Sequence, residues 1–281
     1  MNKNYNVGVL TFEQYHGRKN LGSSRIRGHW LVDNWSEAEL FKMGKEYNVV
    51  IYQKAYFIEH AKTFNGIKIL DLCDPDWLSW QYRVKEMIDL CHAVTTSTEA
   101  LAIALRRITD KPVLCIPDRV DLSKFKEKKI HNGDATKVCW YGYSENFEII
   151  KPVLSILSKN KLELSVISDG QFNLPNIYSD KINVENIKWN ADTVNQNILR
   201  SDFVINPHGN YGRWKFKSNN KTLTAWAIGM PVAENSEQLY RFIKCEERIK
   251  EIEIRTKELK ELWSIEKSIE EYKKLIGDVS K

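Results

Sequence analysis

Residues 202–232 read DFVINPHGNYGRWKFKSNNKTLTAWAIGMPV. The β-branched and aromatic run from Phe203 to Asn206 reads as a strand, and Pro207, which cannot donate to a ladder, ends it. A loop rich in Gly, Asn and basic residues follows. From Lys221 to Ile228 the apolar spacing is helical, Gly229 closes that helix, and Pro231 opens a second short strand. Strand, loop, helix and strand in this order build an open parallel α/β sheet. Such sheets bind ligands beyond the carboxyl ends of their strands. The loop before Lys221 is therefore where a site belongs. A helix start there presents unpaired N–H groups and a partial positive charge. Ser218 or Asn219 is the expected N-cap, Lys215, Lys217 and Lys221 cluster around it, and Arg213 lies just before. A diphosphate suits that set, although a plain solvated basic loop has the same composition. His208, directly after Pro207, is either a ligand contact or a structural histidine.

Working outward, the same alternation fills most of the chain. Strands are expected at 6–12, 49–54, 67–71, 93–96 and 113–116, with helices at 35–47, 79–91 and 98–108, the last capped by Ser97. A Lys-rich polar stretch, 126–137, lacks any apolar period and reads as a linker. The pattern then restarts, with strands at 138–141, 163–167 and 187–189 and helices at 147–157 and 193–200. The expected organisation is a first domain over 1–125, the linker, a second domain over 138–236, and a helical tail over 237–281 packing across both. Gly277 is the expected C-cap of that tail.

The formal charge of +5 suits an anionic partner: a sugar nucleotide, a nucleic acid or an anionic membrane surface. The cysteines, Cys73, Cys91, Cys115, Cys139 and Cys245, are odd in number and form no C-x-x-C pair. They read as buried free thiols of a reducing compartment. The apolar run near the N-terminus is too short for a signal peptide or a membrane span. The expectation is a cytoplasmic protein whose membrane contact, if any, is peripheral.

Three segments resemble the retaining GT-B glycosyltransferases of family 4 and its relatives. Residues 95–125 contain TTSTEALAIAL and KPVLCIPDRVDLSKF, close to the family's crossing from acceptor to donor domain in Ile116, Pro117, Asp118, Arg119, Val120, Asp121 and Phe125. Residues 139–154, CWYGYSENFEIIKPVL, resemble its opening donor-domain strand, with Gly142 on the family's glycine. Residues 202–232 are similar to its K-x-x-E-A-x-A-x-G-x-P-V phrase in Lys221, Ala225, Ala227, Gly229, Pro231 and Val232. Two departures stand out. Tyr143 replaces the arginine that often follows the glycine. The family's E-x7-E pair falls on Phe216 and Thr224, so both acids are missing, including the one that holds the donor's ribose.

The resemblance implies a GT-B fold: two Rossmann-like, doubly wound parallel-sheet domains facing a cleft, followed by the helical tail. It implies transfer of a sugar from a UDP- or GDP-type nucleotide diphospho-sugar to a hydroxyl, without metal or other cofactor and with retention. The donor would lie against Gly142, Tyr143, Ser144, His208, Arg213, Lys215, Lys217, Ser218, Asn219, Lys221 and Thr224. Gly22, Ser23, Ser24, Arg25 and Arg27 form a loop after the first strand that would meet phosphate or acceptor; a basic surface loop is the alternative. Asp74, Asp76 and His16 are the catalytic candidates, the acids equally readable as turn residues. Trp77, Trp80, Tyr82, Tyr211 and Trp214 are either sugar or base platforms or packing residues. The acceptor is open among glycan, lipid, protein and modified DNA, the last as in some phage enzymes. The missing acids keep a non-catalytic binding module in view, and a sugar-nucleotide epimerase is the third reading.

Overall fold

The computed structural model describes residues 5–207 and 212–281, with the side chain of Arg213 left out. His208 and Tyr211, named above as candidates, lie outside the described residues. The chain first forms β1 (Val7–Leu10), α1 (Phe12–His16), α2 (Gly22–Ser24), a π-helical turn (Arg25–His29) and α3 (Trp30–Asn34). Then come β2 (Ala38–Leu40), β3 (Val49–Gln53), α4 (Ile58–Thr63), β4 (Ile67–Leu72), α5 (Gln81–Leu90), β5 (Ala93–Thr96), α6 (Glu99–Leu105) and β6 (Val113–Cys115). The second series is β7 (Lys137–Tyr141), a long 3-10 segment (Ser144–Val153), α7 (Leu154–Lys159), β8 (Glu163–Ser168), β9 (Val184–Lys188), α8 (Val194–Leu199) and β10 (Phe203–Ile205). It closes with a 3-10 turn (Gly212–Phe216), α9 (Asn220–Ala227), β11 (Val232–Ala233), α10 (Ser236–Arg241), α11 (Cys245–Leu262) and α12 (Ile265–Val279).

Two compact units result. The first takes residues 1–121, 211–219 and 263–281; the second takes 122–210 and 220–262. Each holds one parallel sheet, of six strands in the order β2-β1-β3-β4-β5-β6 and of five in the order β11-β10-β7-β8-β9. Parallel strands covered on both faces read as continuous apolar runs rather than alternating ones. VGVL of β1 and VVIYQ of β3 are accordingly buried throughout. Val50, Tyr52, Leu70, Leu72, Val84 and Met87 centre the first core. Val138, Trp140, Leu154, Leu164, Phe203 and Phe242 centre the second. All five cysteines are free. Burial pushes the thiols of Cys91 and Cys139 up to about 12.

The strand orders fix where ligands fit. In the first sheet the connection after β1 leads to β2 on one side, and that after β3 leads to β4 on the other, so the order reverses between β1 and β3. In the second it reverses between β7 and β10. A crevice opens at such a point beyond the strand ends.

Several local expectations are corrected. Residues 35–47 are not a helix: α3 stops at Trp35, whose backbone is extended, β2 pairs with β1, and Gly44 turns the chain at φ 81°. Tyr47 explains the change. Its ring lies over Gly8, where a Cβ would come within 3.1 Å, and its hydroxyl accepts from the Lys42 amide, so tertiary packing overrides helical spacing. Over 147–157 the α-helix begins only at Leu154. Pro152 lacks an N–H and collides with the preceding turn of an α-helix, and the chain takes the tighter 3-10 form up to it. Thr98, not Ser97, caps α6, its hydroxyl accepting from the Leu101 amide at 3.2 Å. The tail is three helices. Val120 pairs with the chain at Ser264 and interrupts it, and Gly277 lies inside α12, which ends at Ser280.

Candidate functional site

In the second unit, the crevice between β7 and β10 meets the first turn of α9. Gly142 follows β7 with φ 156°, and a Cβ there would lie 2.5 Å from Lys221 Nζ and 3.1 Å from the Trp140 ring. Glycine is what admits the lysine side chain to this position. Lys221 Nζ rests 4.8 Å from the centroid of the Trp140 ring, a cation–π contact. The Tyr141 hydroxyl donates to the Lys221 carbonyl at 2.5 Å, tying the helix start to the end of β7. Asn206, just beyond β10, donates to Thr222 Oγ1 at 3.3 Å, and that hydroxyl donates to Glu234 Oε1, just beyond β11, at 3.1 Å. A cation, a helix N-terminus and a carboxylate thus sit around one strand-end crevice.

The other donor candidates fall out as follows. Ser144 gives its backbone N–H to Asp169 Oδ1 at 2.7 Å, a bond that, with smaller ones from Ser168, holds the Asp169 carboxyl below its usual range. That amide therefore caps locally and is not offered to phosphate. Tyr143 is exposed. Thr224 is half-buried in α9. Lys215, Lys217, Ser218 and Asn219 belong to the first unit, so the basic cluster expected around Lys221 is divided between the two. Lys215 Nζ lies 4.8 Å from the Phe216 ring, and Lys217 Nζ lies 3.8 Å from Asp74 Oδ1. Phe216, which occupies the place of the first missing glutamate, stacks edge-on against Trp77 at 6.1 Å. Among the described residues no group of three or more His, Cys, Asp and Glu could hold a metal ion.

In the first unit, the reversal between β1 and β3 gathers a second set. Lys54, the residue after β3, donates from Nζ to Asp74 Oδ2 at 2.6 Å and lies 3.5 Å from Asp76 Oδ2. The Tyr56 hydroxyl donates to Asp76 Oδ2 at 2.5 Å. Burial raises the Asp76 carboxyl above its usual range, with Asp74 adding to the rise and Lys54 and Tyr56 opposing it. Burial opposes the Lys54 charge, but Cys73, Asp74 and Asp76 outweigh it and the ammonium titrates above its ordinary range. His16, in the last turn of α1, packs with tilted ring planes against Phe12 at 4.2 Å and Trp80 at 6.3 Å. Partial burial and then the charges of Arg18, Arg83 and Lys54 lower its imidazole pKa. Trp80 and Tyr82 are exposed beside this set; Trp77 and Trp214 are half-buried.

The loop after β1 needs the largest correction. Arg27 is buried and fully directed inward: Nε and Nη2 take both oxygens of Asp71 at 2.8 and 2.5 Å, and Nη1 reaches Asp118 Oδ1 at 2.8 Å and the Ile116 carbonyl at 2.9 Å. It joins the ends of β4 and β6, and its guanidinium is taken up by partners within the fold. Ser24 is buried and donates to Gln53 Oε1 at 3.1 Å. Gly22 and Ser23 are half-buried, and Arg25 lies 6.0 Å from the Trp30 ring. The Glu13 carboxylate occupies the loop, accepting from the Leu21 amide and contacting His29 Nε2, a charge that repels an anion.

Sequence reasoning missed Lys54, Tyr56, Asn206, Thr222 and Glu234. Position was the available signal, since Lys54, Asn206 and Glu234 each stand one residue past a strand.

No protein-family model matches the sequence, and no curated protein matches it. Solved structures do. HepE from Anabaena, in complex with UDP and glucose, superposes with a TM-score of 0.66 at 9% identity over 97% of this chain and 99% of that one. T4 phage BGT, in complex with its UDP-glucose substrate, gives 0.56 at 10% identity over 97% and 98%. TarM gives 0.63 at 12% identity over 88% of this chain, which spans only 56% of TarM. At these identities the likeness is one of fold. Together with the two doubly wound sheets and the helical C-terminal region, it defines a GT-B fold.

Proposed function

We propose that this chain is a glycosyltransferase that moves a sugar from a UDP-type nucleotide diphospho-sugar to an acceptor hydroxyl. The observation that carries the reading is Lys221, set by Gly142 at the first turn of α9, in the crevice between β7 and β10. A fixed ammonium and a helix N-terminus can neutralise a leaving diphosphate without reorganisation. UDP is favoured because two structures of the same fold hold UDP or UDP-glucose. Glu234 and Thr222 supply oxygen atoms where Thr224 provides no carboxylate.

The acceptor belongs to the first unit, with Asp76 as proton acceptor. Its carboxyl is the one whose pKa burial raises, which places it nearer neutrality, where a general base works best. The acceptor oxygen bonds to the anomeric carbon while its proton passes to Asp76. The bond from that carbon to the diphosphate breaks, and its electron pair leaves with UDP. Arg18, Arg83 and Lys54 around His16 favour an anionic acceptor, and modified DNA remains among the candidates. The sequence resemblance implies retention, whereas a single displacement with Asp76 as base inverts, and the anomer of the product decides between the two.

The test is calorimetry with UDP, UDP-glucose and GDP, followed by assay of UDP-glucose turnover. UDP should bind, and Lys221→Ala should weaken it at least about tenfold, or about 1.4 kcal/mol. Absence of binding to all three would count for a non-catalytic module. Isomerised sugar nucleotide without acceptor would count for an epimerase.

A further inference from the structure

Lys54 adopts φ 52°, a left-handed conformation that a residue with a Cβ enters at a cost and keeps only where its surroundings impose it. Its amide donates to the Asp71 carbonyl at 2.9 Å, which fixes the backbone at that point. The side chain is thereby directed at two carboxylates, Asp74 Oδ2 at 2.6 Å and Asp76 Oδ2 at 3.5 Å. The ammonium lies 5.3 Å from the Phe12 ring, and the Lys54 side chain is 13% exposed. Two residues further on, Tyr56 is 1% exposed and directs its hydroxyl to the same Asp76 Oδ2 at 2.5 Å. One short stretch after β3 thus brings a hydroxyl donor and an ion-paired ammonium to one oxygen of one carboxylate. An ion pair serving stability alone needs neither the unfavourable backbone nor the hydroxyl donor.

We propose that Lys54 and Tyr56 are positioning residues that hold Asp76 by its Oδ2 and favour its ionised form, leaving Oδ1 as the atom that takes the acceptor's proton. This rests on the reading of Asp76 as the base. The charged and titratable groups around it are Lys54 and Tyr56 after β3, Asp74 on its own loop, Cys73 beside that aspartate, and Lys217, which faces Asp74. The ammonium and the hydroxyl both stabilise the carboxylate, so removing either raises the pH at which Asp76 ionises. Base catalysis needs the ionised form, and the acidic limb of the rate profile must move upward with it.

The experiment uses the whole chain with UDP-glucose as probe and water as acceptor. Hydrolysis is followed against pH, and the Asp76 side-chain carbon is titrated by carbon-13 NMR, assigned through Asp76→Asn. Lys54→Met and Tyr56→Phe should each move the midpoint and the acidic limb upward by about one pH unit. Lys54→Arg should restore both. A midpoint unmoved in both variants overturns the proposal, whatever the rates do, and the NMR titration decides this without turnover. If the midpoint moves but Asp76→Asn hydrolyses UDP-glucose like the parent at every pH, the coupling stands and the base assignment falls.

Discussion

Gly142 shows how a single absent side chain can hold a binding group in place. The Cβ of an alanine would meet Lys221 Nζ, the free end of a flexible side chain, so the fold can yield there while the ammonium cannot stay. The φ of 156° adds backbone strain of about 1 kcal/mol. Gly142→Ala should therefore leave the chain folded by circular dichroism and weaken UDP binding about as much as Lys221→Ala. Unaltered UDP affinity in a folded Gly142→Ala protein would detach the glycine from the site. Gly142 and Lys221 stood out in the sequence because each falls on a phrase of the family it resembles. Lys54 and Glu234 were not, since each lies far in sequence from what it meets: Asp74 and Asp76 in one case, Thr222 in the other.

At the scale of elements, the buried charges bind strand ends and helices together. Arg27 issues from the π-helical turn that Gly28 brings close to Thr11, where a Cβ would come within 2.3 Å of the threonine methyl. Its guanidinium spans Asp71 and Asp118, and Asp71 also accepts from Thr95 at 2.7 Å and from Tyr272 of α12 at 3.1 Å. Arg27→Leu leaves two buried carboxylates uncompensated, and breaking such a pair costs about 3 to 5 kcal/mol. A correspondingly lower urea midpoint is expected, and a change under 1 kcal/mol would show that water reaches the aspartates. An arginine in a basic loop carries no sequence mark that distinguishes a ligand contact from a structural bolt; only its burial does. The misread helix over 35–47 has a similar cause. The apolar spacing was there, but β2 pairing and the Tyr47–Gly8 contact outweighed it.

For the whole molecule, the strands of both sheets were largely readable as apolar runs, while the route of the chain was not. The first unit is completed by residues far along the sequence: the Gly212–Phe216 turn and α12. Helix α12 buries Ile265, Ile269, Tyr272, Leu275 and Ile276, and Ser268 and Glu271 hold Arg119. No local pattern announces that a surface-looking Glu/Lys helix closes a core whose Asp71 stands 201 residues upstream of Tyr272. Truncation after Leu262 should therefore unfold the first unit and spare the second. In hydrogen exchange, amides of β3 and β4 should lose protection while those of β7 and β8 keep it. Equal protection in both sheets would mean that α12 is dispensable. No helix among the described residues is long and apolar enough to cross a membrane.

The Tyr5 hydroxyl donates to Ser280 Oγ at 3.0 Å. The order in which the first unit is threaded is thus separable from its shape. A short glycine–serine bridge between these positions, with the chain reopened in the exposed turn at Gly44, would make a circular permutant with the same core contacts. In that protein β1 and α12 would be neighbours in sequence as they already are in the fold, and α12 would leave the ribosome before β1 and β2 instead of after them.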